Sequence, residues 1–234
     1  MIGDVPLYAT VVFVLTTLLT VAFFFRAFGH VRPPGIASKL LVFLIPFWML
    51  LTGFLASTGF YAKFDVVPAR IFTFGVLPAL ILIVVYFIFF RRSLIELLPL
   101  KTLTMLHIVR VLVELCLFWL FQAALVPKVM TFEGWNFDII SGLTAPIAYW
   151  LGFRRKEINK PFLMVWNLVA LGLLANIVVI AILSLPSPNQ RLGFEPPNVA
   201  IAYTPFIWLP AIMVPIVLFA HLASLWKLFR GQTA

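Results

Sequence analysis

Seven apolar stretches, over residues 5 to 27, 38 to 58, 70 to 90, 102 to 125, 138 to 153, 161 to 185 and 205 to 228, leave only short polar segments between them. A bilayer core of about 30 Å is crossed by about 20 apolar residues in a helix, so each stretch predicts one membrane span. Hydrophobic residues fill 63% of the 234 positions and charged residues 11%. That is more apolar surface than a water-soluble domain of this length hides, and lipid is the expected solvent. Pro33, Pro34, Pro99, Pro161, Pro186, Pro188, Pro196 and Pro197 fall between stretches or at their ends, where a missing backbone N–H does no harm. The expectation is an all-α integral membrane protein: one seven-transmembrane-helix bundle over 1–234, with no soluble domain.

Charge orients the bundle. The connections after the first, third and fifth stretches, with the tail, carry Arg26, Arg32, Lys39, Arg91, Arg92, Lys101, Arg154, Arg155, Lys156, Lys160, Lys227 and Arg230. The other side has only Lys63, Arg70, Lys128 and Arg191. This bias of twelve to four places the first set in the cytoplasm and the N-terminus outside. The net charge of +9 therefore reads as a topology signal and as contacts for anionic headgroups on the cytoplasmic side, not as a nucleic-acid surface. No basic residue precedes the first stretch and no small-residue cleavage site follows it, so it reads as a retained helix. The lone cysteine, Cys116, excludes an intrachain disulfide.

The fourth stretch carries the polar residues. At 100° per residue, Thr104, His107, Arg110, Glu114 and Gln122 share one face, with Cys116 pointing away. Arg110 and Glu114 are one turn apart, which predicts an ion pair, and His107 lies one turn from Arg110. Charged groups at mid-membrane cost at least about 2.5 kcal/mol each on insertion scales, so this face should meet other helices or a watery cavity. The fourth helix is expected to be central. Two readings of the stripe stand side by side: a ligand site, ion path or proton relay, and an ion pair that only locks packing.

Two helices are irregular. The fifth holds Gly142 and Pro146 and offers only about 22 Å of apolar helix. The seventh holds Pro205, Pro210 and Pro215, and an internal proline frees the carbonyl one turn earlier, here near Phe206 and Ala211. Broken helices at membrane depth often mark binding sites, which makes Pro146, Pro210 and Pro215 candidates. Of the three histidines, His30 reads as solvated. His107 and His221 share a depth of roughly 6 to 9 Å inside the cytoplasmic end of their helices. If those helices touch, the pair offers two axial ligands for haem b; the alternative is two unrelated interfacial side chains.

Several chemistries are excluded. A retinal Schiff base needs a lysine in the middle of the last helix, whereas Lys227 lies at its end. No HExxH, HxxxH or cysteine cluster offers a metal site. Ser141 has no histidine at its depth to act as base, so no catalytic residue is assigned.

Arg110-x3-Glu114, Thr131-Phe132-Glu133-Gly134-Trp135-Asn136-Phe137-Asp138, Gly142-Leu143-Thr144-Ala145-Pro146, Trp208-Leu209-Pro210 and His221-Leu222 resemble a group of uncharacterised bacterial membrane proteins. The resemblance covers about the second half of the chain and implies a multi-pass protein of the cell inner membrane, with no established activity. The expected function is binding or transport of a small polar or ionic solute around His107, Arg110, Glu114, Gln122, Pro146, Pro210, Pro215 and His221. The alternatives are a non-catalytic scaffold or partner subunit, and a b-type haem protein through His107 and His221.

Overall fold

Proline, glycine and asparagine set where the helices begin. Pro6 stands before α1 (Leu7–Phe28), Gly35 before α2 (Ile36–Ser57) and Pro99 before α4 (Leu100–Gln122). The Asn159 side chain caps α6 (Lys160–Leu183), accepting from the Phe162 N–H at 3.3 Å, with Pro161 in the first turn where its missing N–H is not needed. The remaining helices are α3 (Ile71–Phe89), α5 (Ile139–Phe153) and α7 (Leu209–Phe229). The computed structural model describes residues 5–29, 35–154 and 158–231, and among these the secondary structure is helical, without strands. His30, Arg32, Arg155 and Lys156 lie outside the described residues.

Among the described residues, six helices are long and apolar enough to cross a membrane, and α5, at 15 residues, is a shorter apolar helix. Their outward faces are apolar: Leu7, Phe43, Leu50 and Phe89 are each more than 70% exposed. Large aliphatic and aromatic side chains exposed on successive helices make a surface suited to lipid. The protein is a multi-pass helical membrane protein.

Burial identifies the centre. It reaches 67% in α7 and 56% in α4, against 22% to 39% in the other long helices. The fourth helix is central as expected, but α7 is more enclosed still, touching α1, α2, α3, α4 and α6. Its inward side is built of small residues, Ala211, Ala220, Ala223 and Ser224, which let neighbouring backbones approach.

Three helices are not regular. α4 tightens at His107 and Ile108, where the His107 and Ile108 N–H groups bond three residues back, to Thr104 and Met105. α3 and α7 each open with a wider π-turn, Ile71–Val76 and Leu209–Met213, just before or around Pro78 and Pro210. The expected free carbonyl at Phe206 is a correction: it accepts the Leu209 N–H at 3.0 Å, because the chain tightens there before the wider turn begins.

The connections are anchored at both ends of the bundle. The Leu125 carbonyl accepts from Val199 and Ala200, both at 3.1 Å, and Asn198 is buried with its side-chain amide on the Ala181 carbonyl at 3.1 Å. At the opposite end the fully buried Lys227 ammonium donates to the Glu96 and Leu98 carbonyls at 2.8 and 2.7 Å. That lysine is a clamp on the α3–α4 connection.

Candidate functional site

The sequence around α5 dictates the site. Residues 136 and 137 stand outside any helix, and burial alternates along this segment: Trp135 and Phe137 are about half exposed, while Asn136 and Asp138 are buried in the bundle. Just beyond, Gly142 presses on α4. A Cβ there would lie 2.7 Å from the Val111 side chain, 2.8 Å from its backbone nitrogen and 3.3 Å from the Arg110 Cβ. Only a glycine admits this approach of the two helices, and it brings Asp138 to the guanidinium of Arg110.

Arg110 pairs with Asp138, not with Glu114, which corrects the expected ion pair. Its Nε donates to one carboxylate oxygen of Asp138 at 2.6 Å and its Nη2 to the other. A planar guanidinium meets a carboxylate best through two parallel bonds, a geometry that the neighbour across the α4–α5 contact offers. Nη2 also donates to the Ala170 carbonyl at 3.1 Å and Nη1 to the His221 Nε2 at 3.1 Å. Both partners of the ion pair are buried, so the charges are compensated inside the protein.

Glu114 is held by a different residue. Its Oε1 accepts from the Asn136 side-chain amide at 2.5 Å, and that amide also donates to the Met130 carbonyl at 3.0 Å. The Asn136 Oδ1 accepts the Asp138 N–H at 3.0 Å, so Asn136 joins the two acids. The second oxygen of Glu114 is buried without a hydrogen-bond partner among the described residues.

On the other side of Arg110 lie the two histidines. α4 and α7 touch, and the rings of His107 and His221 stack with centroids 3.9 Å apart and planes 19° from parallel. His221 Nδ1 meets the Asn167 Oδ1 at 2.9 Å, while the Asn167 amide donates to the Leu163 carbonyl at 2.8 Å. Asn167 thus presents an acceptor, so His221 carries its proton on Nδ1 and receives Arg110 on Nε2, as a neutral imidazole does. Trp166 borders the pair, 5.4 Å from the His107 ring. His107 is fully buried, and neither of its nitrogens has a partner among the described residues.

This arrangement does not fit haem between the two histidines. An axial ligand directs a lone pair in its ring plane at the iron, whereas these rings lie face to face and the His221 lone pair receives Arg110. No group of three or more metal-ligating side chains occurs among the described residues.

Of the expected site residues, His107, Arg110, Glu114 and His221 come together. Gln122 is exposed at the end of α4, where Ala124 at φ 55° turns the chain away, and Pro146 is exposed on α5. Pro210 lies in the π-turn of α7 and Pro215 is buried against α2 and α3. Thr104 is buried but bonds its own helix, at the Leu100 carbonyl, 2.9 Å away. Asn136, Asp138 and Asn167 complete the cluster and were not expected there. The alternation Trp135-Asn136-Phe137-Asp138, and an asparagine within the apolar run of α6, were the signals that could have marked them, although Asn176 in the same run lies outside the cluster.

An all-helical bundle with an apolar outer face and a connected polar core defines a polytopic membrane protein. The chain belongs to the family described as Domain of unknown function (DUF8737), whose model matches residues 67–229 and so includes every residue of the cluster. No curated protein and no solved structure matches the chain.

Proposed function

We propose that this protein spans the cell inner membrane seven times, N-terminus outside, and binds or carries a small ionic solute through the polar core between α4, α5, α6 and α7. The twelve-to-four bias of basic residues supports the orientation. The short α5 is extended by the inward-turned segment ending at Asp138, which supports a seventh crossing. The observation that carries the solute reading is His107: a fully buried imidazole whose two nitrogens have no partner among the described residues, stacked on a chain of bonded groups that ends at the Glu114 oxygen likewise without one. Buried polar atoms are normally satisfied, and exceptions of this kind fall at functional sites. Because His107 and Glu114 are exposed by 1% or less, the solute must be very small, and a proton is the smallest species these atoms accept.

The scaffold reading draws support from Arg110, whose four hydrogen bonds commit it to holding four helices together. Purified protein in liposomes loaded with a pH-sensitive dye separates the two. Under an imposed potassium diffusion potential, protein-dependent proton flux that is lost in Glu114→Gln and in His107→Phe, with both variants folded, is the expected result. Folded wild-type protein without flux, or variants conducting as wild type does, would leave the polar core as packing.

A further inference from the structure

A second concave feature lies away from the polar core. Between α2, α3 and α7, with Phe24 of α1 at one end, a groove of about 320 Å³ opens on the lipid-facing surface. Its walls are apolar, including Leu41, Trp48, Pro78, Ala79 and Ile216. Pro78 of α3, Pro215 of α7, and Ala211 and Ile212 of the α7 π-turn all face into it.

The groove has a direction. It runs from Leu41 to Trp48 along α2 and from Tyr86 to Pro78 along α3, roughly 10 to 12 Å of helix rise. One leaflet of the hydrocarbon core is about 15 Å deep. The Leu41 and Tyr86 end lies nearest the end of the bundle where Lys39 and Arg92 are exposed, with Arg26 and Arg91 on the same ends of α1 and α3. The acid of this region, Glu96, sits beside the buried Lys227 that its own carbonyl receives. Net positive charge therefore stands where a headgroup would emerge.

We propose that this groove is a specific site for one acyl chain of an anionic phospholipid, whose phosphate is met by Lys39 and Arg92. The depth matches one leaflet, the walls match a hydrocarbon chain and the charge matches the headgroup. A helix from a second copy fits less well. The apolar walls would suit a helix as well, but the exposed Lys39 and Arg92 nearest its Leu41 and Tyr86 end suit a phosphate headgroup.

Native mass spectrometry of protein reconstituted with equal amounts of dioleoyl phosphatidylglycerol and dioleoyl phosphatidylcholine, then released into mild detergent, tests this. Wild type is expected to retain one phosphatidylglycerol, about tenfold preferred over phosphatidylcholine. Ala79→Trp, which fills the groove, should lose the retained lipid of either kind, and Lys39→Gln with Arg92→Gln should keep a lipid but lose the preference. Circular dichroism and thermal unfolding verify that each variant is folded. Retention by folded Ala79→Trp as in wild type, equal retention of the two lipids by wild type, or a wild-type dimer that Ala79→Trp splits would overturn the proposal. The proton-flux result does not bear on it, since neither Lys39, Ala79 nor Arg92 belongs to the polar core.

Discussion

His107 and His221 stack face to face at 3.9 Å, yet among the described residues His221 is bonded at both nitrogens and His107 at neither. His221 is fixed in tautomer and orientation by Asn167 and Arg110, so it forms a rigid platform. Among the described residues, the His107 ring is held by ring contacts with His221 and Trp166 and by packing. The asymmetry is visible to nitrogen-15 spectroscopy of labelled protein. His221 is expected to show a single tautomer, protonated at Nδ1, from pH 6 to pH 8, and to lose it in Asn167→Ala. A His221 signal in that pH range that averages two tautomers in wild type would contradict the bonding described here.

Asn167→Ala should also lower stability. It removes the acceptor for the His221 N–H and leaves a buried donor unsatisfied, which costs roughly 1 to 3 kcal/mol. Chemical unfolding in mixed micelles measures the loss.

The ion pair makes a sharper energetic prediction. Truncating one partner of a buried pair strands the other charge and costs roughly 3 to 5 kcal/mol. Arg110→Met and Asp138→Leu alone should each fall in that range, and the combined variant should be less damaged than either. Glu114→Gln should be mild by comparison, because an amide oxygen still accepts from Asn136. Equal losses for Glu114→Gln and Asp138→Leu would show that Glu114 shares the pairing of Arg110.

Much of this fold is written along the chain, because span length and hydropathy are local properties. The polar face of α4, the central place of that helix and the irregularity of α5 and α7 all follow from periodicity and proline positions. The partner of Arg110 does not. Spacing makes Glu114 available to it, but the pairing is decided by how closely α5 approaches, and that depends on Gly142 meeting the backbone at Val111. Gln122 lies apart from the cluster for a related reason: helical periodicity places it on the stripe, but α4 ends at that residue and leaves its side chain exposed. Asn136 and Asp138 were hidden because they alternate with aromatic residues at the edge of the fifth stretch, where the pattern fits either set facing the bundle, and it is the polar set that is buried.

Orientation is tested by labelling single cysteines in a Cys116→Ala background with a membrane-impermeant maleimide. Lys63→Cys and Arg191→Cys should react in intact cells, and Arg92→Cys and Arg154→Cys only after permeabilisation. The reverse pattern would invert the bundle. Reaction of Arg92→Cys and Arg154→Cys on opposite sides would instead mean that the segment from α4 to α5 does not cross the bilayer twice.

Gly142 gives the last prediction, because it links packing to the polar core. A methyl group at that position would meet both the Val111 side chain and its backbone nitrogen within 3 Å, and the backbone of α4 cannot rotate out of the way as a side chain can. The helices must then separate. Overpacking of this kind costs roughly 1 to 3 kcal/mol, so Gly142→Ala should lower stability by that amount and Gly142→Val by more. Separation also lengthens the reach from Arg110 to Asp138, whose two parallel bonds depend on that approach. The loss should therefore shrink when the ion pair is already absent. A double-mutant cycle of Gly142→Ala with the Arg110→Met and Asp138→Leu combination measures this coupling, expected between about 0.5 and 3 kcal/mol for groups in contact. Strict additivity would mean that glycine serves only the helix contact, and that the arginine reaches its partner without it.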